Sequence, residues 1–182
     1  SFGQLSITTT VTPTFRVAMP STSYTGLSLQ AEARTLAAAA GFDTANYDLD
    51  TVGFTRLTTG DFASFLGRGA LGAKGTLING IPAPNLPGVC SHELGHNLSA
   101  RHANLWNTQP PNGTGQPWGQ GTVTEYADPF DTMGNSCSNI ACHYNMYFRA
   151  GFGWTNGTEV QSVSSSGTYR LITVDAPVTT GL

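Results

Sequence analysis

Residues 92–102 read HELGHNLSARH, and no other stretch constrains the chain as much. His92 and His96 are four apart, so on a helix they lie about 40° apart on one face, one turn above the other. Imidazoles placed this way can both reach one ion at the ~2.0–2.1 Å of a zinc–nitrogen bond. Glu93 falls close to the same face, where a carboxylate can reach a metal-bound water without being a ligand itself. On a continued helix, His102 would lie ~9 Å further along the axis and on the far side. Either it is unrelated to the other two, or the chain turns sharply between Leu98 and Ala100 with Ser99 at the pivot. Three histidines with water in the fourth position form a catalytic zinc layout. The plainer alternative is a helix carrying solvated histidines.

The remaining sequence narrows the setting. A chain of 182 residues with 39% hydrophobic content can bury one sizeable core. Only 10% of residues are charged, against about 25% in an average soluble domain. Surface polarity then rests on Ser, Thr, Asn, Gln and Gly, which suits an extracellular protein. Net charge is −3 and Lys74 is the single lysine, so no basic patch for nucleic acid or an anionic membrane surface can be built. No apolar run approaches the ~18 residues of a membrane span. Cys90, Cys137 and Cys142 lack any CxxC pairing, which excludes a four-cysteine zinc site. One disulfide and one free thiol is the simplest account; Cys137 and Cys142 close the shortest loop, but spacing does not decide the pairing. The N-terminus has neither a charged nor an apolar signal region, so secretion would imply that a signal, and any pro-segment, has been removed or omitted.

Phe15 to Met19 alternate weakly and suggest a first strand. Leu27–Ala40 is the clearest helix, rich in Ala, Leu, Glu and Gln, with Gly41 at the C-terminal cap position. Tyr47–Leu57 and Gly75–Ile81 read as strands, with Pro82 and Pro84 ending the second. A helix is expected over Gly88–Leu98, a Gly/Pro/Asn-rich loop over Asn107–Thr124, and a second long helix over Asn139–Gly151. The stretch Glu159–Val174 alternates around a Ser/Gly turn, a hairpin signal. The order predicts an α/β (α+β) domain of two lobes with the histidine motif at their junction.

The window HExxHxxxxxH resembles the zinc motif of the metzincin metallopeptidases, usually HExxHxxGxxH. The stretches SHELGHNLSARHANLW, EYADPFDTMGN and HYNMYFRAGFGW, together spanning Cys90 to Trp154, resemble the gametolysin family of metzincins. One departure is Ser99, where the family has glycine; serine adopts many turn conformations and can bond the local backbone. The resemblance implies a catalytic domain over 1–158, with a twisted mixed sheet, an active-site helix and a Met-turn. Its upper lobe would be 1–98 and its lower lobe 99–158, with 159–182 beginning a β-rich extension. It also implies a secreted, monomeric zinc endopeptidase acting on extracellular polypeptides. In that reading Zn2+ is held by His92, His96 and His102, the base is Glu93, and Met133 of DTMG is the Met-turn methionine beneath the zinc. Some metzincins add a tyrosine ligand two residues after that methionine; the position is Asn135 here, so that ligand is not carried over. The alternative is a catalytically silent zinc-binding or adhesion module, against which an intact Glu93 argues.

Weaker signals surround the motif. Tyr126, Tyr144 and Tyr147 are candidate oxyanion donors, although packing roles are commoner. His143 is either a core histidine or a further oxyanion donor. Glu125, Asp128 and Asp131 either stabilise a turn or bind Ca2+. Cys90 is read as a buried structural cysteine or one half of a disulfide rather than a redox- or metal-responsive thiol. The Asn97 sequon lies inside the motif helix and should be inaccessible, whereas those at Asn112 and Asn156 fall in loops. Gly75–Ile81 is the expected strand along which an extended substrate pairs.

Overall fold

A computed structural model describes residues 5–81, 86–108, 119–135, 142–155 and 159–171. The chain divides into two compact units, Ile7–Tyr144 and Asn145–Leu182 together with Ser1–Ser6. The class is mixed α and β, as the sequence predicts.

In the larger unit, helix α1 spans Gly26–Ala39. Its start is a capping box in which Thr25 Oγ1 accepts from the Ser28 N–H at 3.2 Å and Ser28 Oγ accepts from the Thr25 N–H at 2.9 Å. It ends where Gly41 enters the left-handed region at φ +91°. There the Gly41 N–H donates to Ala38 O and the Phe42 N–H to Ala37 O, a Schellman closure. Three short strands form one sheet: β1 (Thr51–Phe54), β2 (Gly67–Gly69) and β3 (Thr76–Asn79). The order is β1-β3-β2, with β3 parallel to β1 and antiparallel to β2.

All four β3 residues are buried, and Asn79 ties the sheet to the loops beside it. Its amide donates to the carbonyls of Leu57, Phe62 and Phe65, while its Oδ1 accepts from the Leu57 N–H at 2.7 Å. Tyr24, Leu29 and Phe62 form an apolar cluster, with Val17, Phe54, Leu57 and Phe65 packed against it. Helix α2, Leu86–Asn97, lies on β2 and β3. The two glycines of β2 permit this approach: a Cβ on Gly67 would lie 2.7 Å from Val89 Cγ1, and one on Gly69 would overlap the Glu93 carbonyl. Asn97 locks the far end of α2, accepting from Thr76 Oγ1 at 2.7 Å and donating to Ala70, Ala73 and Gly75 carbonyls. Its sequon is therefore buried, as expected. Those at Asn112 and Asn156 lie outside the described residues.

After α2, strand β4 (Leu105–Asn107) pairs antiparallel with β5 (Thr122–Thr124). The smaller unit contains α3, Met146–Gly151, with Asn145 as N-cap accepting from the Phe148 N–H at 3.1 Å.

Several sequence expectations change. Phe15–Met19 forms no strand, because side chains take its backbone donors: the Ala18 N–H donates to Glu32 and the Met19 N–H to the Tyr24 hydroxyl. The Tyr47–Leu57 strand shortens to β1. Strand β3 lies in the middle of its sheet and offers no free edge, so Gly75–Ile81 is not a strand an extended peptide can pair with; β1 and β2 are the outer strands. The loop over Asn107–Thr124 has paired ends. The helix expected from Asn139 starts only at Met146, because the Cys142 and His143 carbonyls accept from Thr132 and are unavailable to a helix; residues 139–141 lie outside the described residues. The described part of the expected Glu159–Val174 hairpin, to Leu171, contains no strand.

Candidate metal centre

Helix α2 sets two of the three histidines, and the way it ends sets the third. The Ser99 N–H donates to His96 O at 2.9 Å and the Ala100 N–H to Gly95 O at 2.8 Å, the same Schellman closure that ends α1. The residue in the left-handed region is Ser99, at φ +76°. The turn at Ser99 is therefore real, and it brings His102 back beside the helix. A serine in this conformation gives up about 1 kcal/mol relative to glycine. Ser99→Gly is expected to stabilise the metal-free protein by about 0.5–1 kcal/mol in urea unfolding; a loss of stability would mean that the serine side chain makes a compensating bond.

Among the described residues, His92, His96 and His102 are the one group of three or more His, Cys, Asp or Glu whose ligand atoms lie within 4.8 Å of one another. This group can hold a metal ion. The ring centroids are 4.9 Å apart for His92–His96, 5.5 Å for His92–His102 and 4.9 Å for His96–His102. Each Nδ1 already has an acceptor: Thr132 O at 2.9 Å for His92, Ala100 O at 2.8 Å for His96 and Glu125 Oε1 at 2.6 Å for His102. With Nδ1–H donating, each ring presents its Nε2 lone pair, as a metal ligand must. Burial holds His92 down to about 4 and also lowers His96, so both rings are neutral and ready to ligate at neutral pH.

Glu93 is buried, at 6% exposure, beside His92. Burial raises its carboxyl to about 7, and the Gly69 N–H and the charge of Arg68 offset only part of that rise. A carboxyl poised near neutrality can give and take protons at neutral pH.

Met133 is fully buried beneath α2. A Cβ on Gly95 would run into its Sδ and lie 2.8 Å from Tyr144 Cε1, so helix, methionine and tyrosine are in close contact. The turn carrying Met133 is tied to the segment after His102: the Ala103 N–H donates to Met133 O at 2.9 Å, and the Asp128 N–H to Ala103 O at 3.2 Å. The neighbouring Thr132 carbonyl orients His92, so the turn supports the centre from below.

The oxyanion candidates divide. The Tyr144 hydroxyl donates to Ser91 O at 2.5 Å, and burial raises its pKa, so it serves the helix. His143 is exposed rather than in the core, and its carbonyl accepts from the Thr132 N–H at 3.1 Å. Tyr126 stacks on His102 with centroids 3.7 Å apart. The calcium reading of Glu125, Asp128 and Asp131 fails because the carboxylates have separate tasks: Glu125 binds His102, Asp128 accepts from the Phe130 N–H, and buried Asp131 accepts from the Met133 N–H. Cys90 is an exposed free thiol, neither the buried nor the disulfide-bonded cysteine expected, which leaves Cys137 and Cys142 for any disulfide; Cys137 lies outside the described residues.

A cleft of about 390 Å³ opens beside the centre, lined by Gly69, Leu71, Arg101 and Asn104 together with His96, His102 and Glu125. Sequence reasoning missed β2, whose GRG has no strand-like residue to announce it, and the partnership of Glu125 and Tyr126 with His102, which lie 23 and 24 positions apart from it in sequence. No protein-family model matches the chain, and no curated protein and no solved structure matches it.

Proposed function

We propose that this chain is a secreted, zinc-dependent endopeptidase of the metzincin kind. The observation that carries the reading is three imidazoles whose ligand atoms lie within 4.8 Å of one another, with the buried carboxyl of Glu93 next in sequence to His92. Three neutral nitrogen donors leaving a fourth position open suit Zn2+. When bound, zinc supplies Lewis acidity that polarises a carbonyl and acidifies a water. Glu93 would act as the base, taking a proton from the water that attacks the peptide carbonyl and passing it to the leaving nitrogen. Strand β2 borders Glu93 and His96 through Gly67 and Gly69, so an extended peptide along its outer edge passes the histidines. In this reading Met133 is the Met-turn methionine, and every proposed site residue lies within Ile7–Tyr144. The low charge content supports an extracellular setting, with a Cys137–Cys142 disulfide as the proposed staple. Among the described residues, no helix is long and apolar enough to cross a membrane.

The test is casein or gelatin hydrolysis with zinc content measured in parallel. One zinc per chain is expected, with activity lost on treatment with 1,10-phenanthroline and restored by added zinc. If zinc binds and no protein or peptide is cleaved, the silent zinc-binding module replaces this reading.

A further inference from the structure

We propose that Glu125 and Tyr126 are positioning residues that clamp the third histidine, Glu125 from its Nδ1 edge and Tyr126 from its face. The proposal rests on the metal-centre reading above.

The three ligands are not supported equally. His92 and His96 ride on α2, and each ring is anchored to a backbone carbonyl. His102 follows the end of that helix, in residues 100–104 that belong to no helix or strand. Its Nδ1 partner is instead the side chain of Glu125, 65% exposed, at 2.6 Å. Tyr126 lies over the same ring at 3.7 Å with 29° between the planes.

Sheet pairing delivers the clamp. Strand β4 follows His102 and β5 precedes Glu125, and Leu105 pairs with Thr124, so the two segments are zipped together next to the centre. The chain must then bend to bring both side chains onto one ring. It does so at Tyr126, whose φ of +63° is in the left-handed region. That conformation costs a non-glycine residue about 1–2 kcal/mol, and such strain persists where surrounding bonds over-determine it. Here the Tyr126 N–H donates to Asn104 Oδ1 at 3.1 Å, tying the strained residue to the segment that carries His102. A carboxylate on Nδ1–H fixes the tautomer and makes Nε2 a better donor, and loss of such partners typically lowers metal affinity by about 10–100-fold.

Zinc affinity would be measured by chelator competition on the full chain, alongside unfolding of the metal-free form. Glu125→Ala is expected to weaken zinc binding by about 10–100-fold. Glu125→Gln should lose less, because its amide oxygen still accepts the Nδ1–H. Tyr126→Phe keeps the ring and should bind zinc within about twofold of wild type, whereas Tyr126→Ala should weaken it by about tenfold or more, within the usual range for a ligand's supporting partners. Metal-free stability should hold or rise in Tyr126→Ala and change little in Glu125→Ala. Unchanged zinc affinity in Glu125→Ala and Tyr126→Ala would overturn the proposal, as would a loss of affinity matched by an equal loss of metal-free stability. If Tyr126→Phe keeps zinc but no longer cleaves, the hydroxyl acts in the chemistry and the positioning role for Tyr126 is wrong. If the wild type itself binds no zinc, the metal-centre reading falls first.

Discussion

On the proposed reading, Glu93→Gln should abolish peptide hydrolysis and keep the zinc, and it should make the metal-free protein more stable at pH 8. Glutamine matches the shape and can still accept from the Gly69 N–H, but it cannot take a proton. Loss of a general base typically lowers turnover by about 10²–10⁴-fold. Zinc content should stay at the wild-type level, because the proposed ligands are the three histidines. The stability effect follows from linkage. Burial raises the Glu93 carboxyl from 4.5 to about 7, so the folded state binds this proton more tightly than the unfolded state does. The stabilisation from Glu93 is thus fully present below pH 4.5 and is lost as pH rises through 7. A shift of this size corresponds to about 3 kcal/mol that the wild type forgoes above pH 7. The variant should therefore exceed the wild type by about 2–3 kcal/mol at pH 8 and equal it near pH 4. His92 and His96 titrate in the opposite sense, since their lowered values favour the folded state at higher pH, but they are common to both proteins and cancel in the difference. Urea unfolding of the chelated proteins at the two pH values measures it. A flat difference across pH would show that Glu93 is not buried as a charge, and turnover above about a tenth of wild type would remove it from the role of base.

What the sequence reveals about this site depends on the range of the interaction. The spacing of His92 and His96 is a within-helix property, and it predicts their convergence directly. The turn at Ser99 is also local, because a histidine beyond helical reach requires a reversal. The ends of α1 and α2 show how little the residue type reveals: Gly41 and Ser99 occupy the same left-handed position in the same hydrogen-bond pattern, yet only glycine advertises it. Long-range pairing is another matter. Strand β2 consists of Gly-Arg-Gly and is a strand only because β3 lies beside it. Residues 142 and 143 have helix-compatible side chains, but Thr132 captures their carbonyls from ten and eleven positions away. Glu125 reads as one of three acidic neighbours until the pairing of β4 with β5 sets it against His102. The ligands were legible because their periodicity is local, and their supports were not, because tertiary contacts chose them.

Gly95→Ala sets the two scales against each other. Alanine inside a helix gains about 1 kcal/mol over glycine by propensity alone. Here its Cβ would overlap Met133 Sδ and crowd Tyr144, and Met133 is fully buried. Overpacking of this kind costs about 1–3 kcal/mol. The net expectation is destabilisation of up to about 2 kcal/mol in the metal-free protein, the local gain offsetting part of the packing loss. The displacement should also reach the metal. Pushing Met133 away from α2 moves the adjacent Thr132 carbonyl, which holds His92 at 2.9 Å, so zinc affinity should fall as well. A double-mutant cycle isolates the contact. Met133→Ala alone removes a buried side chain and should cost about 2–5 kcal/mol. In that background Gly95→Ala meets no sulfur, and it should become neutral or stabilising, giving a coupling of about 1–3 kcal/mol between the two positions. If Gly95→Ala stabilises the protein even with Met133 present, the methionine does not press on the helix. The support of the histidines by this turn would then rest on the Thr132 hydrogen bond alone.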